Sequence, residues 1–290
     1  MSEPRAEIGI IGGSGLYEMA GLTNVEEIDL STPFGTPSDS LVLGTLGNRR
    51  IAFLPRHGRG HRLSPSQVPY RANIFAMKML GVHRILSVSA VGSLKEEIRP
   101  LDMVVPDQLI DRTWSRTSTF FDNGIVVHLA FADPFCSQLM ELFYQEARRE
   151  GSRAHLGGTY LAMEGPQFST KAESTLYRSW GASVIGMTAL PEAKHAREAE
   201  VCYAVLACST DYDCWHPDHE SVSAEMIIAN LLKNTERAKA IVKNVVLNMP
   251  VDKTCGCGSA MKNAIVTAPE KIPAQVKESL APLLGKYIRQ

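Results

Sequence analysis

The chain has 290 residues, of which 44% are hydrophobic and 21% are charged, and its formal net charge is −1 with a pI near 6.7. This composition gives ample material for a folded core, and the balanced charge excludes a global attraction to nucleic acid or to an anionic membrane. The N-terminal stretch MSEPRAEIGIIGG is unlike a signal or transit peptide, and no stretch approaches the length of a transmembrane helix. We therefore expect a cytoplasmic protein.

Short apolar runs alternate with helical patterns from one end of the chain to the other. Runs typical of buried strands lie at 8–13, 51–56, 84–92, 102–110, 158–165, 182–190 and 201–210. Patterns typical of helices lie at 70–80, 134–150, 170–181, 191–200, 223–249 and near 273–286. This alternation predicts an α/β fold in which a mostly parallel, mixed central sheet is flanked by helices.

The domain organisation follows from the continuity of this alternation. No repeat, low-complexity tract or convincing linker precedes 250–262. We therefore expect a single domain over 1–290, with a C-terminal extension that contains Gly and Cys from about 250. Ligands of such sheets gather at the carboxyl ends of the strands, and the chemically interesting residues of this chain lie there.

The first strand end carries a glycine-rich loop, GIIGGSG at 9–15. It lacks the G-x-G-x-x-G spacing of a dinucleotide-binding loop and the Lys-Ser/Thr ending of a Walker A loop. A tight turn that needs glycine dihedrals is one interpretation. The other is a turn that offers backbone N–H groups and the Ser14 hydroxyl to an anion.

A basic cluster follows the second predicted strand, in LPRHGRGHRLSP at 54–65, and includes Arg56 and His57. A solvated basic loop is the simplest interpretation. The cluster is short and has no interleaved aromatic residues, which argues against a stacking groove for nucleic acid. A compact phosphate site suits it better, because arginine offers a planar fork of donors that matches phosphate oxygens.

Small and hydroxyl residues mark two further strand ends. SVSAVGSL at 87–94 contains Ser89 and Ala90, where small side chains would let backbone N–H groups approach a ligand, although close packing explains them equally well. MEGPQFST at 163–170 is either a strand-to-helix turn with a hydroxyl N-cap or a binding loop whose Phe168 stacks on a ring.

Two aspartates, Asp211 and Asp213, follow the apolar run VCYAVLA at 201–207. If the strand continues through them, they point to the same side, about 7 Å apart along the chain. A close pair tends to keep one proton, because like charges oppose the ionisation of both carboxyls. One neutral and one charged aspartate would match N7 and N6 of adenine, and the spacing permits this interpretation without singling it out.

The cysteines are too few for a disulfide scaffold. Four lie in or beside apolar segments, where a buried free thiol is the common outcome: Cys136, Cys202, Cys208 and Cys214. Cys255 and Cys257 form a C-x-C pair in KTCGCGSAMK, and a tight disulfide, half a metal site and inert thiols all stay open. A zinc site usually needs a second ligand pair, and none is evident at a suitable spacing, so we expect no metal.

In chain order, seven segments resemble the S-methyl-5'-thioadenosine phosphorylases, which belong to the trimeric branch of the purine nucleoside phosphorylases. The segments are GIIGGSGLY, TPFGTPSD, RHGRGH, PYRANI, AVGSL, MEGPQFST and TDYDCW. The resemblance runs from about residue 8 to residue 248, and the CGCG segment is similar to the C-x-C tail of some archaeal and thermophile-type members. It implies the nucleoside phosphorylase fold and a homo-oligomer, either a trimer or a dimer of trimers.

The resemblance also implies roles for individual residues. The phosphate site would comprise Ser14, Arg56, His57, Ser89, the backbone of Ala90, and Thr188. The nucleoside site would comprise Met187 at the ribose, Phe168 and Ser169 at the base, Asp211 and Asp213 at N7 and N6, Ala224 and Ile227 at the alkylthio group, and His128 from a neighbouring subunit. Asp211 would act as the general acid. A related branch that acts on 6-oxo purines has an Asn at the base-reading position, so the aspartates favour the 6-amino branch.

The implied reaction is the phosphorolysis of S-methyl-5'-thioadenosine to adenine and 5-methylthioribose 1-phosphate. Inorganic phosphate would be a co-substrate, with no metal or organic cofactor, and the partners would be small-molecule substrates rather than nucleic acid or a membrane. Two alternatives stay open: a purine nucleoside phosphorylase of broader adenosine and inosine specificity, and a non-catalytic adenine-nucleoside binding protein. The basic cluster argues against the second, because nucleoside binding needs no separate anion site.

Overall fold

The computed structural model describes residues 5–13, 16, 19–217 and 224–288, except for the side chains of 224–228 and 231. The described part of the chain contains eleven strands: β1 Ile8–Gly12, β2 Leu22–Ile28, β3 Leu41–Leu46, β4 Arg49–Pro55, β5 Arg84–Ser93, β6 Met103–Val105, β7 Gln108–Arg112, β8 Ala154–Leu156, β9 Thr159–Met163, β10 Val184–Gly186 and β11 Cys202–Asp211. Its α-helices are α1 Tyr70–Met79, α2 Ser137–Arg149, α3 Lys171–Ser179, α4 Ala189–Glu198, α5 Ala224–Leu247, α6 Ala274–Ser279 and α7 Ala281–Leu284. Short 3₁₀ helices lie at Gly256–Ser259 and Pro269–Lys271.

The strands form one mixed sheet whose middle is parallel. β1 pairs in parallel with β4 and β5, and β11 runs parallel to β5 from Cys202 opposite Arg84 to Asp211 opposite Gly92. β10 and β6 add antiparallel pairs to β5 and β11, and β3 and β2 extend the sheet beyond β4 in antiparallel order. Because parallel strands end at the same edge, the carboxyl ends of β1, β4, β5 and β11 meet there, where ligands of such sheets bind.

β11 lies in the middle of the core, and this explains why its sequence is apolar without alternation. All ten of its residues are buried. Tyr203 and Val205 pack into a cluster with α1 and α4, whereas Ala204 and Leu206 pack into a second cluster with α2 and α5. A strand that is covered by helices on both faces has no polar side.

The predicted α/β class and the mixed, centrally parallel sheet are confirmed, and several boundaries differ. The predicted run 102–110 is two strands, β6 and β7, because Pro106 has no N–H for a continuous ladder. The run 182–190 leaves the sheet after Gly186 and continues as α4, and the terminal helix is divided into α6 and α7.

Three strands were not predicted. Most residues of β2 are exposed and polar, as suits a strand at the edge of the sheet, and β8 has only three residues. β3 is a buried apolar strand that pairs with β2 on one side and with β4 on the other. The described helices include none that is long and apolar enough to cross a membrane.

Candidate active site

Most of the predicted site residues lie at the edge of the sheet where β1, β4, β5 and β11 end. Arg56 directly follows β4, Ser89 and Ala90 lie near the end of β5, and Asp211 is the last residue of β11. Thr188 lies between the end of β10 and the start of α4. For the roles that the resemblance implies, we call Arg56, His57, Ser89 and Thr188 the phosphate half and Phe168, Ser169, Asp211 and Asp213 the purine half.

Arg56 is buried and forms a bidentate ion pair with Glu192 of α4. Its Nε donates to Glu192 Oε2 at 2.8 Å and its Nη2 donates to Oε1 at 3.0 Å. Nη2 also donates to Ser87 Oγ at 2.7 Å, and Tyr203 OH donates to Glu192 Oε1 at 2.8 Å. The two charged side chains are only 3% and 0% exposed, so the charge of Arg56 is compensated inside the protein.

This pairing narrows the role expected for Arg56. The sequence argument assigns the planar fork of donors to phosphate, but Nε and Nη2 face Glu192. Nη1 donates to Val88 O at 3.0 Å, and no other acceptor within the described residues takes its second hydrogen. One N–H of Nη1 therefore remains for a ligand, and a phosphate bound here would depend on neutral donors as well as on the guanidinium.

His57 adds no charge beside Arg56. Its Nδ1 lies 2.9 Å from Leu63 O, which places the hydrogen on Nδ1 and leaves Nε2 as an acceptor. Burial, followed by the charge of Arg56, lowers the pKa of His57 to about 4. At neutral pH this imidazole is therefore uncharged, and Nε2 can accept a hydrogen bond from a protonated oxygen of a ligand.

Three hydroxyl groups meet at the end of β5. Ser89 Oγ lies 3.1 Å from Thr188 Oγ1 and 3.3 Å from Tyr160 OH. Thr188 stands at the N-terminus of α4 but makes no capping bond with its side chain, and Ala90 beside Ser89 is exposed. Because hydroxyl hydrogens rotate to suit their partners, this cluster can supply donors to an anion.

The two aspartates are brought together by a turn and not by the strand. β11 ends at Asp211 after a register shift, and Asp213 has a left-handed backbone with φ 52°. The Asp213 N–H donates to Asp211 Oδ1 at 2.7 Å, which forms an Asx turn. The condition that the strand continues through both residues is therefore not met, but the turn leaves both side chains buried next to each other.

The surroundings of Asp211 suit a group that gains and loses a proton. Burial raises the pKa of both aspartates, and the charge of Asp213 adds to the shift of Asp211. Thr210 Oγ1 lies 2.6 Å from Asp211 Oδ2 and 3.2 Å from Val91 O. Its single hydrogen can go to an ionised Asp211, or it can go to Val91 O while a protonated Asp211 donates to the hydroxyl. Asp211 thus has a partner in both protonation states.

Space and backbone support at this turn come from neighbouring elements. A Cβ at Gly92 of β5 would lie 2.9 Å from Asp211 Oδ1, so only glycine leaves room for the carboxyl group. Asn230 of α5 donates to Thr210 O at 2.7 Å, which fixes the end of β11. The aspartate pair is therefore held by the sheet on one side and by α5 on the other.

The remaining purine-half residues lie on the loop that follows β9. Phe168 is 56% exposed, so its side chain is accessible to a planar ligand, whereas Ser169 is buried and its carbonyl accepts from Cys214 Sγ at 3.2 Å. Met187 packs on the same loop: a Cβ at Gly165, which has φ 68°, would lie 2.5 Å from Met187 Sδ. Glycine at 165 thus lets the loop approach the methionine expected at the ribose.

Comparison with known proteins decides the family. Residues 7–247 match the model of the phosphorylase superfamily. Over 283 residues the chain is 59% identical to the S-methyl-5'-thioadenosine phosphorylase of Koribacter versatilis (strain Ellin345), which covers 98% of this chain and 97% of that protein. The chain belongs to the S-methyl-5'-thioadenosine phosphorylase family.

Solved structures agree with this membership. The crystal structure of a methylthioadenosine phosphorylase from an antarctic soil metagenomic library superposes with a TM-score of 0.92 at 49% identity, over 97% of this chain and 100% of that one. A variant of the adenosine/methylthioadenosine phosphorylase of Schistosoma mansoni, in complex with methylthioadenosine, superposes with a TM-score of 0.81 at 32% identity, over 97% and 98%.

In this member of the S-methyl-5'-thioadenosine phosphorylase family, a second buried ion pair supports the site. Glu164 accepts from Arg116 Nε at 3.2 Å, from Ser115 Oγ at 2.7 Å and from the Ser66 hydroxyl. Burial opposes ionisation of Glu164, but the hydrogen bonds from Ser66 and Ser115 outweigh it and lower its pKa to about 2. Arg116 also donates to Met187 O, so this pair positions the methionine.

Sequence reasoning missed one residue of each buried ion pair: Glu192, which pairs with Arg56, and Arg116, which pairs with Glu164. Glu192 reads as an acid in the first turn of a helix, and Arg116 lies in a polar segment without periodicity. The signal that was available is the Glu164 position, at the end of an apolar run where a charge is costly unless it is paired. No comparable signal in the chain points to Arg116.

Four predicted residues are not placed at the site by the structure. Ser14 lies outside the described residues, and Ala224 and Ile227 belong to α5 but their side chains are not described. His128 is exposed, and its N–H donates to Ala264 O in the C-terminal segment at 2.9 Å. The roles of these four residues, like those of the two halves of the site, stay predictions.

Proposed function

We propose that this chain catalyses the phosphorolysis of S-methyl-5'-thioadenosine to adenine and 5-methylthioribose 1-phosphate. The observation that carries the proposal is its 59% identity to the Koribacter S-methyl-5'-thioadenosine phosphorylase over almost the full length of both chains. The buried carboxyl groups of the purine half, which can hold a proton, support the same reaction. So do the guanidinium and hydroxyl groups of the phosphate half, which can bind an anion.

In the proposed mechanism, a phosphate oxygen attacks C1' of the ribose while the bond from C1' to the purine nitrogen breaks. The ribose passes through a state with oxocarbenium character, which the negative charge of the phosphate stabilises. The Ser89 and Thr188 hydroxyls and the remaining Nη1 hydrogen of Arg56 hold the phosphate. Because Glu192 compensates the charge of Arg56, the bound phosphate keeps much of its negative charge for this task.

The bonding electrons pass to the purine, which must be protonated to leave. Asp211 donates its proton to N7, and the raised pKa keeps this proton available. Asp213, as a carboxylate, accepts a hydrogen bond from the N6 amino group, and the exposed Phe168 ring stacks on the base. Phosphate is a co-substrate, and the mechanism uses no metal or organic cofactor.

A phosphate-dependent assay with three nucleosides tests the proposal. Release of the base from methylthioadenosine should require phosphate or arsenate, and methylthioadenosine should be used better than adenosine, and adenosine better than inosine. Equal turnover in phosphate-free buffer would indicate a nucleosidase instead. Inosine used as well as methylthioadenosine would favour the purine nucleoside phosphorylase of broader specificity, and binding without turnover would favour a non-catalytic binding protein.

We further propose that the chain acts as a homo-oligomer, a trimer or a dimer of trimers, in which His128 reaches the site of a neighbouring subunit. Its exposure on the segment beside Ala264 supports this role, because the side chain is open to a partner.

Mixed oligomers test the role of His128. If His128 acts in the neighbouring site, refolding His128→Ala chains together with Asp211→Asn chains should restore activity above the sum of the two variants. A sum that stays additive, or a fully active monomer by sedimentation, contradicts the role.

A further inference from the structure

Four cysteine side chains converge at the end of β11 opposite to the aspartate pair. The Sγ atoms of Cys136, Cys202, Cys255 and Cys257 all lie within 4.8 Å of one another, and those of Cys202 and Cys255 are 3.3 Å apart. Three of the four residues are buried and Cys255 is half-buried. Within the described residues, this is the one group of three or more His, Cys, Asp or Glu side chains with the spacing of a metal site. We call it the four-cysteine cluster.

The cluster joins three segments that are distant in the sequence. Cys136 is the N-cap of α2, Cys202 is the first residue of β11, and Cys255 and Cys257 flank the start of the 3₁₀ helix at Gly256–Ser259. The C-x-C pair therefore has the second ligand pair that its own neighbourhood in the sequence lacks.

The donor set and its dimensions suit a soft divalent cation. Four thiolates select zinc or an iron centre over magnesium or calcium, which prefer oxygen. Tetrahedral bonds of about 2.3 Å from zinc to sulfur separate the sulfurs by about 3.8 Å, which falls between the 3.3 Å and 4.8 Å of the cluster. Zinc binding would release the four thiol protons to solvent and needs no oxidant.

The surroundings offset the negative charge of such a centre. Cys136 stands at the N-terminus of a helix of 13 residues, where the backbone favours negative charge. Arg84 pairs with Cys202 in the strand register, is buried, and donates through Nη2 to Val251 O and Asp252 O, just before the C-x-C pair. The helix N-terminus thus brings positive potential to Cys136, and the Arg84 guanidinium binds the backbone that leads into the C-x-C pair.

We propose that the four-cysteine cluster binds one zinc ion as a structural site that ties the C-terminal segment to α2 and β11. Four protein ligands complete a tetrahedral shell, so the site leaves no open position for catalysis. Cys202 of the cluster and Asp211 lie at opposite ends of β11, which is about 30 Å long for ten residues. The proposal does not depend on the proposed function, and it replaces the expectation that the chain holds no metal.

Metal content tests the proposal directly. The full-length chain, produced in zinc-containing medium and purified with a reductant but no chelator, should hold about one zinc per chain by elemental mass spectrometry. Cys257→Ser and Cys136→Ser should each lower this content about tenfold or more, because each removes a ligand. Cys208→Ser is the matched control: Cys208 is also a buried thiol of β11 but lies outside the cluster, so its zinc content should equal that of the natural chain.

A spectrum of the natural chain keeps the test independent of how the variants fold. After removal of zinc, addition of cobalt(II) should give strong thiolate-to-cobalt charge-transfer absorption and the visible bands of a tetrahedral ion.

Chelation of the zinc should lower the melting temperature of the protein, while the activity of the folded enzyme at 25 °C stays unchanged. Cluster thiols that resist alkylation in denaturant without reductant would show disulfides, and free thiols without metal would show inert cysteines; either result, or iron in place of zinc, overturns the proposal.

Discussion

The phosphate half and the purine half of the site differ in how their charges are balanced. In the phosphate half, the guanidinium of Arg56 is compensated by Glu192 at 2.8 Å and 3.0 Å, and His57 is held neutral. In the purine half, two carboxyl groups are buried together, the Thr210 hydroxyl and the Asp213 N–H are neutral donors to Asp211, and burial raises the pKa of both aspartates.

The difference matches what each half does in the proposed mechanism. A phosphate that attacks a developing cation has to keep its negative charge, so a partly compensated arginine suits it better than a free one. A purine that departs with extra electrons needs a proton, so a carboxyl group without a cationic partner suits it better than an ion-paired one. The phosphate half thus has a fixed ion pair, whereas the purine half has a carboxyl group that can give up its proton, and the reaction needs both.

The largest effect is expected from breaking the balance in the phosphate half. Glu192→Gln leaves Arg56 buried without its counter-charge, and the free energy of unfolding should fall by about 3–5 kcal/mol. Urea denaturation followed by circular dichroism measures it. The matched control is Glu236→Gln, an exposed acid of α5 that should change stability by less than about 0.5 kcal/mol. A loss for Glu192→Gln as small as that of the control would mean that the pair is not the main support of Arg56.

The next effect concerns the proton of the purine half. Asp211→Asn keeps the shape of the side chain but cannot donate the acidic proton, so kcat should fall at least about 100-fold, or ~3 kcal/mol. Because burial raises the pKa of Asp211, the acid form persists to higher pH than for an exposed aspartate, and kcat of the natural enzyme should decline as pH rises through that pKa. The variant should show no such decline in a kcat profile over pH, and Asp122→Asn at an exposed position should keep it. If the kcat profiles of the natural enzyme and of Asp211→Asn run parallel over pH, Asp211 is not the general acid.

A smaller change should alter selectivity in the purine half. Asp213→Asn replaces a pure acceptor by a group that also donates, so it should favour a 6-oxo purine over a 6-amino purine. We expect the ratio of kcat/KM for adenosine over inosine, which keeps the ribose constant, to fall about tenfold, or ~1.4 kcal/mol. If that ratio stays at its natural value while stability is unchanged, the contact between Asp213 and N6 does not exist.

The smallest effects should separate the two halves from each other. Ser89→Ala removes one neutral donor from the phosphate half, and the KM for phosphate should rise about fivefold, or ~1 kcal/mol, with little change in the KM for nucleoside. Ser169→Ala in the purine half should do the reverse. Steady-state kinetics with each substrate varied in turn measures both, and a variant that shifts both KM values equally would show that the halves are not independent.

Sequence reasoning could predict the parts of the molecule that depend on strong local patterns. The buried strands β1, β4, β5 and β11 read clearly as apolar runs, and parallel pairing then places Arg56, Ser89 and Asp211 at one edge. The strand β2 could not be read this way, because its exposed polar residues carry no strand periodicity.

Contacts between distant segments were beyond the sequence. Glu192 lies 136 residues from Arg56, and its role appears only when α4 packs on the sheet. The Asp213 turn depends on a hydrogen bond to the side chain of Asp211, which overrides the strand pattern that precedes it. Cys136 and Cys202 meet the C-x-C pair only because α2 and the C-terminal segment both pack at the start of β11.

The left-handed backbone at Asp213 has a consequence for how this family can diversify. With φ 52°, position 213 suits a short polar residue, and Asn tolerates this region as well as Asp does. Exchanging one for the other would therefore carry no backbone penalty, although it changes the donor and acceptor pattern that, in the proposed mechanism, faces the base. If position 213 reads the purine as proposed, a lineage can cross between amino and oxo purines here in a single mutational step, with no compensating change of the backbone.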